Sequence, residues 1–465
     1  MNISPRRPVP WTLLVLAAVA ALFFSRMTRH VDPDLFFHLK EGSRVVLEGR
    51  LPLAEDYSYT RGGKAMVATE WLSGAAFYLL FRAGGYPAVA AFSTLMIVAA
   101  LWLTTLAWEQ RPPEAAVALL LALTAFAFLN FALAKVQNFT FLLFALSIYW
   151  VRLWERGRRW TPWALAGILA VWVNLHGGFT LGWGLLAGIC LLDFKKNRRA
   201  VDLAPWALGT LACFLHPNGA TAFVYPLWFV FAPPAARSMI VEWTPLRLEL
   251  SASPYALLLM TALAARIDRL REKFPWTILA AVSLVMGLKT RKMIPFFSLT
   301  ALLAVGLSWA RMKTSRSLDR FCLAATLAVL LSISAVVVRE ARAHAPLGSL
   351  SDFEREYPRE AAEALAQHPD AKRVFHPYKW GGYLLWKLPP RVKIFVDGRL
   401  DPYWTLLADY EWIEHAHPGW EALAEAYGID SALMPPGSPL ASAMAASGSW
   451  KAAGDDGRAI LFVRK

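Results

Sequence analysis

Eleven apolar runs, most of them close to bilayer length and separated by short basic clusters, leave this chain little choice of solvent. They lie at about 11–27, 86–107, 114–133, 138–154, 161–176, 178–194, 203–216, 250–266, 275–290, 294–310 and 320–338. Crossing the hydrocarbon takes about 20 apolar residues, with a range of roughly 17–25. No water is present there to satisfy the backbone, so each run reads as a helix. The expected fold class is mainly α: a polytopic transmembrane helix bundle of about eleven spans. Composition agrees, since 57% of the 465 residues are hydrophobic and 21 are tryptophan, against about half apolar and a quarter charged in soluble domains.

The net charge of +14 does not indicate nucleic acid. The basic residues fall between apolar runs, where they act as topology signals, and no nucleic-acid motif accompanies them. Cys190, Cys213 and Cys322 lie inside apolar runs, which suits small packing residues better than half-cystines or zinc ligands. The run behind Arg6 and Arg7 ends in "FFSRM" without an A-x-A cleavage site, so it reads as a retained span rather than a signal peptide.

Charge sets the orientation. With a cytoplasmic N-terminus, the inside loops carry Arg111, then Arg156, Arg158 and Arg159, then Lys195, Lys196, Arg198 and Arg199, with further clusters at 266–273 and 311–320. The connections "HGG" (176–178) and "HPNG" (216–219) have no lysine or arginine and face outside. "ATAFVYPLWFVFAPP" is apolar but short and broken by Pro226; counting it as a span would put "RIDRLREK" outside, so it reads as an interfacial or re-entrant segment. Residues 1–338 then form the membrane domain, with a first outside loop at 28–85. Residues 339–465 form an outside domain, alternating amphipathic "DFEREYPREAAEALAQH" with the strand-like runs "KRVFH", "VKIFV", "DSALM" and "AILFV". That pattern reads as a soluble α/β fold.

The first outside loop holds the most concentrated chemistry. In "DPDLFFHLKEG", Asp32 before Pro33 is a helix-start signal. A helix continuing from there carries Asp34, His38 and Glu41 at i, i+4 and i+7, on one face. A solvated helix face would look the same, but ionisable groups beside the hydrocarbon are costly and point to function. The positive helix terminus depresses the pKa of Asp34, so a base role needs desolvation or a neighbouring acid. Asp56 and Glu70 are the acids available, Asp56 serving equally well as a turn residue and Glu70 standing next to Trp71 where an apolar helix begins.

Further candidates lie at other outside ends. "VWVNLHGGFTLG" offers Asn174 and His176 either as site residues or as a capped turn. "KTRKMIPFF" puts Lys289, Arg291 and Lys292 outside, against the positive-inside trend, either to bind a lipid phosphate or to snorkel. Glu242 in "IVEWTP" adds an acid. In the tail, "FVDGR" sets Asp397 and Arg399 after a strand, as ligand contacts or as an ordinary turn and surface pair. "KWGGYLLW" is expected to pack on the membrane face through Trp380, Tyr383 and Trp386.

Together, "DPDLFFHLKEGSRVVLEGRLPLAEDYSYT", "EWLSGAAFYLL", "VNLHGGF", "RKMIPFF" and "WGGYLLWKLPPRVKIFVDGRLDPY" resemble a bacterial branch of the GT-C fold integral-membrane glycosyltransferases, in order along most of the chain. The resemblance implies a protein of the bacterial cytoplasmic membrane that moves a sugar from a polyprenyl-phosphate donor to a glycan, lipid or protein acceptor outside. It implies Asp34 as catalytic base, with Glu70, and Asp32, His38, Asp56, Asn174, His176, Glu242, Arg291 and Lys292 around the substrates. The leaving phosphate would be stabilised either by Arg291 and Lys292 or by a divalent metal on Asp34, His38 and Glu70. Two other classes are a transporter, for which ionisable residues deep in the spans and inverted repeats are lacking, and a non-catalytic envelope-assembly protein of the same fold.

Overall fold

The computed structural model describes residues 10–230, 241–246, 274–310, 312–344, 346, 354, 356–399 and 403–465. Two compact units emerge: Met1–His30 with Val89–Pro346, and Val31–Ala88 with Leu347–Lys465.

The first unit is helical. It contains α1 (Pro10–Met27), the helices Glu114–Phe128, Gln137–Glu155, Thr161–Leu175, Phe179–Asn197, Ala204–Ala212 and Ala220–Val230, and then Phe274–Lys289, Ile294–Trp309 and Arg316–Ala343. Every expected run within the described residues coincides with a helix; the run at 250–266 and the cluster at 266–273 lie outside them. Among the described residues, four helices are long and apolar enough to cross a membrane: Trp71–Leu106, Glu114–Phe131, Arg291–Trp309 and Arg316–Ala343. The others are shorter or more polar, so the described helices do not by themselves establish eleven spans.

Glu114–Phe128 and Ile294–Trp309 are buried on nearly every side. They therefore form the unit's centre, where a helix apolar all round belongs. Their hydroxyls are satisfied locally: Thr124 donates to the Leu120 carbonyl at 2.7 Å and Ser298 to that of Ile294 at 2.8 Å, the usual solution where water is absent. Basic residues at the helix ends serve as caps. Arg152 and Arg156 donate to the Ala107 carbonyl at 3.2 and 2.7 Å, satisfying a carbonyl just past the end of Trp71–Leu106. The three cysteines are free and buried, as packing residues should be.

The second unit combines the first loop with the tail. Its helix α2 (Asp34–Glu48) crosses the start of α3 (Trp71–Leu106), which breaks at Gly84 and Gly85 (φ 64°), the expected junction between loop and span. The strands are β1 (Arg373–Phe375), β2 (Lys393–Ile394), β3 (Ser431–Met434), β4 (Trp450–Asp455) and β5 (Ile460–Arg464). They form one sheet in the order β2-β1-β3-β5-β4, with β1 parallel to β2 and β3, and β5 antiparallel to β3 and β4. Four of the five match the expected runs. The edge strand β4 escaped because most of its side chains are exposed and carry no apolar alternation.

The loop joins this sheet directly. Ser58 bridges Ile394 in parallel, the Tyr59 N–H donating to the Ile394 carbonyl and the Ile394 N–H to that of Tyr57, both at 3.2 Å. Phe36 packs edge-on against Tyr357 and Tyr383, with centroids 4.8 and 5.3 Å apart. Residues 31–88 therefore belong with the tail in compactness, although they precede most of the apolar runs. "KWGGYLLW" also differs from expectation: Trp380 and Tyr383 are buried in this unit's core and Trp386 meets Phe81. Their apolar surface is taken up by α2 and its neighbours rather than left for a membrane.

Candidate active site

The site is built on the start of α2. Pro33 takes the N-cap position with helical dihedrals (φ −54°, ψ −30°), and the capping acceptor comes one residue earlier. There Asp32 Oδ1 accepts from the Asp34 N–H at 3.0 Å. Asp32 is thus a buried helix-start residue, and Asp34 opens the helix that it starts.

Glycines from the tail let the backbone close on this turn. A side chain on Gly382 would meet the Pro33 carbonyl at 2.8 Å, one on Gly381 would meet Asp397, and one on Gly398 would overlap Asp34 Oδ1. The "WGG" and "DGR" motifs therefore share a purpose: one brings the start of a tail helix against Pro33 and the other brings a tail loop against Asp34. About two helical turns on, Gly42 and Gly74 permit α2 and α3 to touch, since a Cβ at Gly42 would collide with the Gly74 carbonyl. That contact brings His38 Nε2 within 3.5 Å of Glu70 Oε2.

The third residue on the helix face has a different partner. Glu41 Oε1 lies 3.2 Å from Arg399 Nη1, and Glu55 Oε2 lies 2.8 Å from Arg399 Nη2. Asp397 Oδ1 accepts from the Arg399 Nε at 2.8 Å and from its backbone N–H at 2.9 Å, while Oδ2 pairs with Nη2. The Tyr403 hydroxyl donates to Asp397 Oδ2 at 3.0 Å, and Tyr57 lies under the guanidinium at 4.9 Å. One cation thus faces three buried carboxylates. Burial alone would raise Asp397, but Arg399, with help from Tyr403, holds it below the usual carboxylate range. Burial, reinforced by Asp397 and Glu55, pushes Glu41 up to about 7 against the pull of Arg399.

Asp397 and Arg399 are consequently a buried pair at the centre of the unit, not a surface pair. Glu55 and Tyr403 were missed by sequence reasoning. The signal at Glu55 is a carboxylate before a turn: its Oε1 accepts from the N–H groups of Tyr57 and Ser58 at 2.8 and 2.6 Å. Nothing in the sequence marks Tyr403. Asp56 points elsewhere, pairing with Arg44 at 2.7 Å and Arg50 at 3.6 Å.

The remaining candidates belong to the helical unit. Asn174 donates to the carbonyls of Ala170 and Leu215 at 2.8 and 3.2 Å, and His176 Nδ1 accepts from the Gly178 N–H at 2.9 Å beside the Thr140 hydroxyl. Both tie turns together. Glu242 pairs with Lys135, Lys292 lies 5.3 Å over the Trp243 ring, and Arg291 Nε donates to the Pro245 carbonyl at 3.3 Å. "VEWTP" and "TRK" therefore form one patch of aromatic and cationic character, to which Lys135 is an addition. Among the described residues no group of three or more His, Cys, Asp or Glu is arranged to hold a metal ion. Asp34, His38 and Glu70 do not close into a ligand set: Glu70 meets His38, while the Asp34 carboxyl lies against Gly398.

No protein-family model and no curated protein sequence matches the chain. Solved structures do. AglB, the oligosaccharyltransferase of Archaeoglobus fulgidus in complex with an inhibitory peptide and a dolichol-phosphate, aligns with a TM-score of 0.58 at 12% identity over 92% of this chain and 69% of AglB. ArnT from Cupriavidus metallidurans bound to undecaprenyl phosphate gives a TM-score of 0.52 at 15% identity over 97% of each chain. The mycobacterial arabinofuranosyltransferase AftD gives 0.59 at 16% identity, covering 100% of this chain and 40% of AftD. The chain accordingly has the GT-C glycosyltransferase fold.

Proposed function

We propose that this chain is an inverting glycosyltransferase of the bacterial cytoplasmic membrane, transferring a sugar from a polyprenyl-phosphate donor to an acceptor hydroxyl on the outer face. The observation that carries this reading is the glycine-cleared setting of Asp34, on the first helix after α1, in a fold shared with structures that hold dolichol-phosphate or undecaprenyl phosphate. The Asp34 carboxylate removes the acceptor proton as that oxygen attacks the anomeric carbon. The bond from this carbon to the phosphate oxygen breaks, and the lipid phosphate leaves with its electrons. General-base help of this kind contributes about 10² to 10⁴ in rate.

Lys292 and Arg291, beside Trp243, supply positive charge of the sort that stabilises a departing phosphate. Glu70, just ahead of α3, pairs with His38 on α2, one turn from the base. No step is routed through a metal.

Asp34→Asn and Glu70→Gln, assayed for glycan products in a deletion strain, test the reading. Asp34→Asn is expected to abolish detectable product at normal protein levels, and Glu70→Gln to reduce it. Unchanged glycans in both variants would overturn the enzymatic assignment and favour an assembly protein of the same fold.

A further inference from the structure

The sheet of the second unit contains a place where the strand order reverses. From β1 the chain goes to β2 on one flank, then crosses to β3 on the other, both parallel to β1. In open parallel sheets, the crevice outside the carboxyl ends of two such strands is where ligands bind, because the following loops diverge there. A cavity of about 460 Å³ lies at this point, formed by Pro377 and Tyr378 after β1, by Met434, Pro435, Ser438 and Pro439 at the end of β3, and by Lys379, Glu414 and His415. Its size falls within the roughly 300–1,000 Å³ of small-ligand sites.

The lining selects among ligands. Tyr378, the prolines and Met434 give an apolar floor with one aromatic ring, suited to the C–H face of a ring compound. The charges are opposed, Lys379 against Glu414, so an anion meets a carboxylate and a cation meets an ammonium. An uncharged polyol can use both, donating hydroxyl hydrogens to Glu414 and accepting from Lys379. Glu414 is also held in place beforehand. The Tyr378 N–H donates to the Tyr410 hydroxyl at 2.6 Å, and that hydroxyl donates to Glu414 Oε1 at 2.7 Å, which fixes the carboxylate without cost at binding.

We infer that this cavity binds a neutral sugar ring of the acceptor glycan; the acceptor role rests on the glycosyltransferase reading, the binding itself does not. The test uses full-length protein in nanodiscs with maltotriose, cellotriose and mannotriose as probes, followed by saturation-transfer NMR. At least one trisaccharide is expected to bind saturably, with transfer to its C–H protons. Glu414→Gln, which keeps an acceptor for Tyr410, should weaken binding about tenfold through loss of charge-assisted hydrogen bonds. Lys379→Ala, at an exposed position, should weaken it without affecting folding. Asp34→Asn should bind sugar as the wild type does while losing transfer, so that a failure of catalysis and a failure of this site are read separately. No saturable binding by any probe, or binding unaltered in both Glu414→Gln and Lys379→Ala, would overturn the inference. Binding of a proline-rich decapeptide in place of all three sugars would likewise overturn it.

Discussion

Arg399 holds together three carboxylates drawn from two distant stretches of sequence, and the imbalance falls on Glu41. Its folded value, about 7, lies above its ordinary value of 4.5. The stability it contributes is therefore complete below about pH 4.5 and is lost as pH rises through about 7. His376 is buried and held down to about 4, chiefly by burial, so its effect has the opposite sign: stability is gained as pH rises from about 4 to its ordinary 6.5. The two act in opposite directions in the wild type. Glu41→Gln keeps an acceptor for Arg399 and removes only the first effect. The melting temperature of Glu41→Gln minus that of the wild type should climb between pH 4.5 and 7, by an amount corresponding to at most about 3 kcal/mol. A difference that stays level across this range would show that Glu41 does not titrate there. Asp32, governed by a local rule, was legible at this scale as the helix-start acceptor, whereas His38 and Glu70 were read as neighbours of Asp34 and not as partners of each other. Glu41, Glu55 and Tyr403 were not assigned, because their partners come from the far end of the chain and no spacing rule reaches that far.

At the scale of elements, the position of α2 depends on glycines more than on side-chain interlock. Gly42→Ala would drive a methyl group into the Gly74 carbonyl, which is backbone and cannot swing aside, so α2 and α3 must separate. Overpacking of that kind costs about 1–3 kcal/mol, and a lowered melting temperature is expected. Gly398→Ala meets the end of a side chain, Asp34 Oδ1, which can rotate. It should leave the melting temperature nearly unchanged while lowering transfer towards the level of Asp34→Asn; normal transfer in this variant would show that the carboxylate need not lie where it does. Hydropathy and period were sufficient to find the described apolar helices, the amphipathic helix Arg359–Gln367 and four strands, but not the short tail helices Gly381–Lys387, Leu407–Glu414, Trp420–Ala426 and Pro439–Ala446. They were blind to β4, whose side chains are mostly exposed. They also left Ala220–Val230, with Pro226 inside it, short of a full span.

For the whole molecule, the expected orientation places the second unit outside and the basic loops inside. With the three native cysteines buried, single cysteines introduced at exposed positions report sidedness cleanly. Lys451→Cys should react with a membrane-impermeant maleimide in intact spheroplasts, and Lys196→Cys only after permeabilisation. The reverse pattern would invert the topology and with it the side on which transfer occurs. Composition made the membrane class legible, and charge carries the expectation of this orientation. They gave no hint that the first loop and the tail make one body, because hydropathy describes how a segment meets its solvent and not which other segment it meets.

That body has a consequence for biosynthesis. The strand-like pairing of Tyr57 and Tyr59 with Ile394, and the ion pairs of Glu41 and Glu55 with Arg399, join segments made at very different times. Roughly 340 residues separate them, which at about 5–20 residues per second is on the order of tens of seconds of synthesis. Throughout that interval Asp34 has no glycine-lined seat, and the acids behind it have no guanidinium. A chain interrupted before Arg399 would carry almost every apolar helix yet lack the guanidinium and the glycine that close around the first loop, so that loop can settle only once the tail is complete.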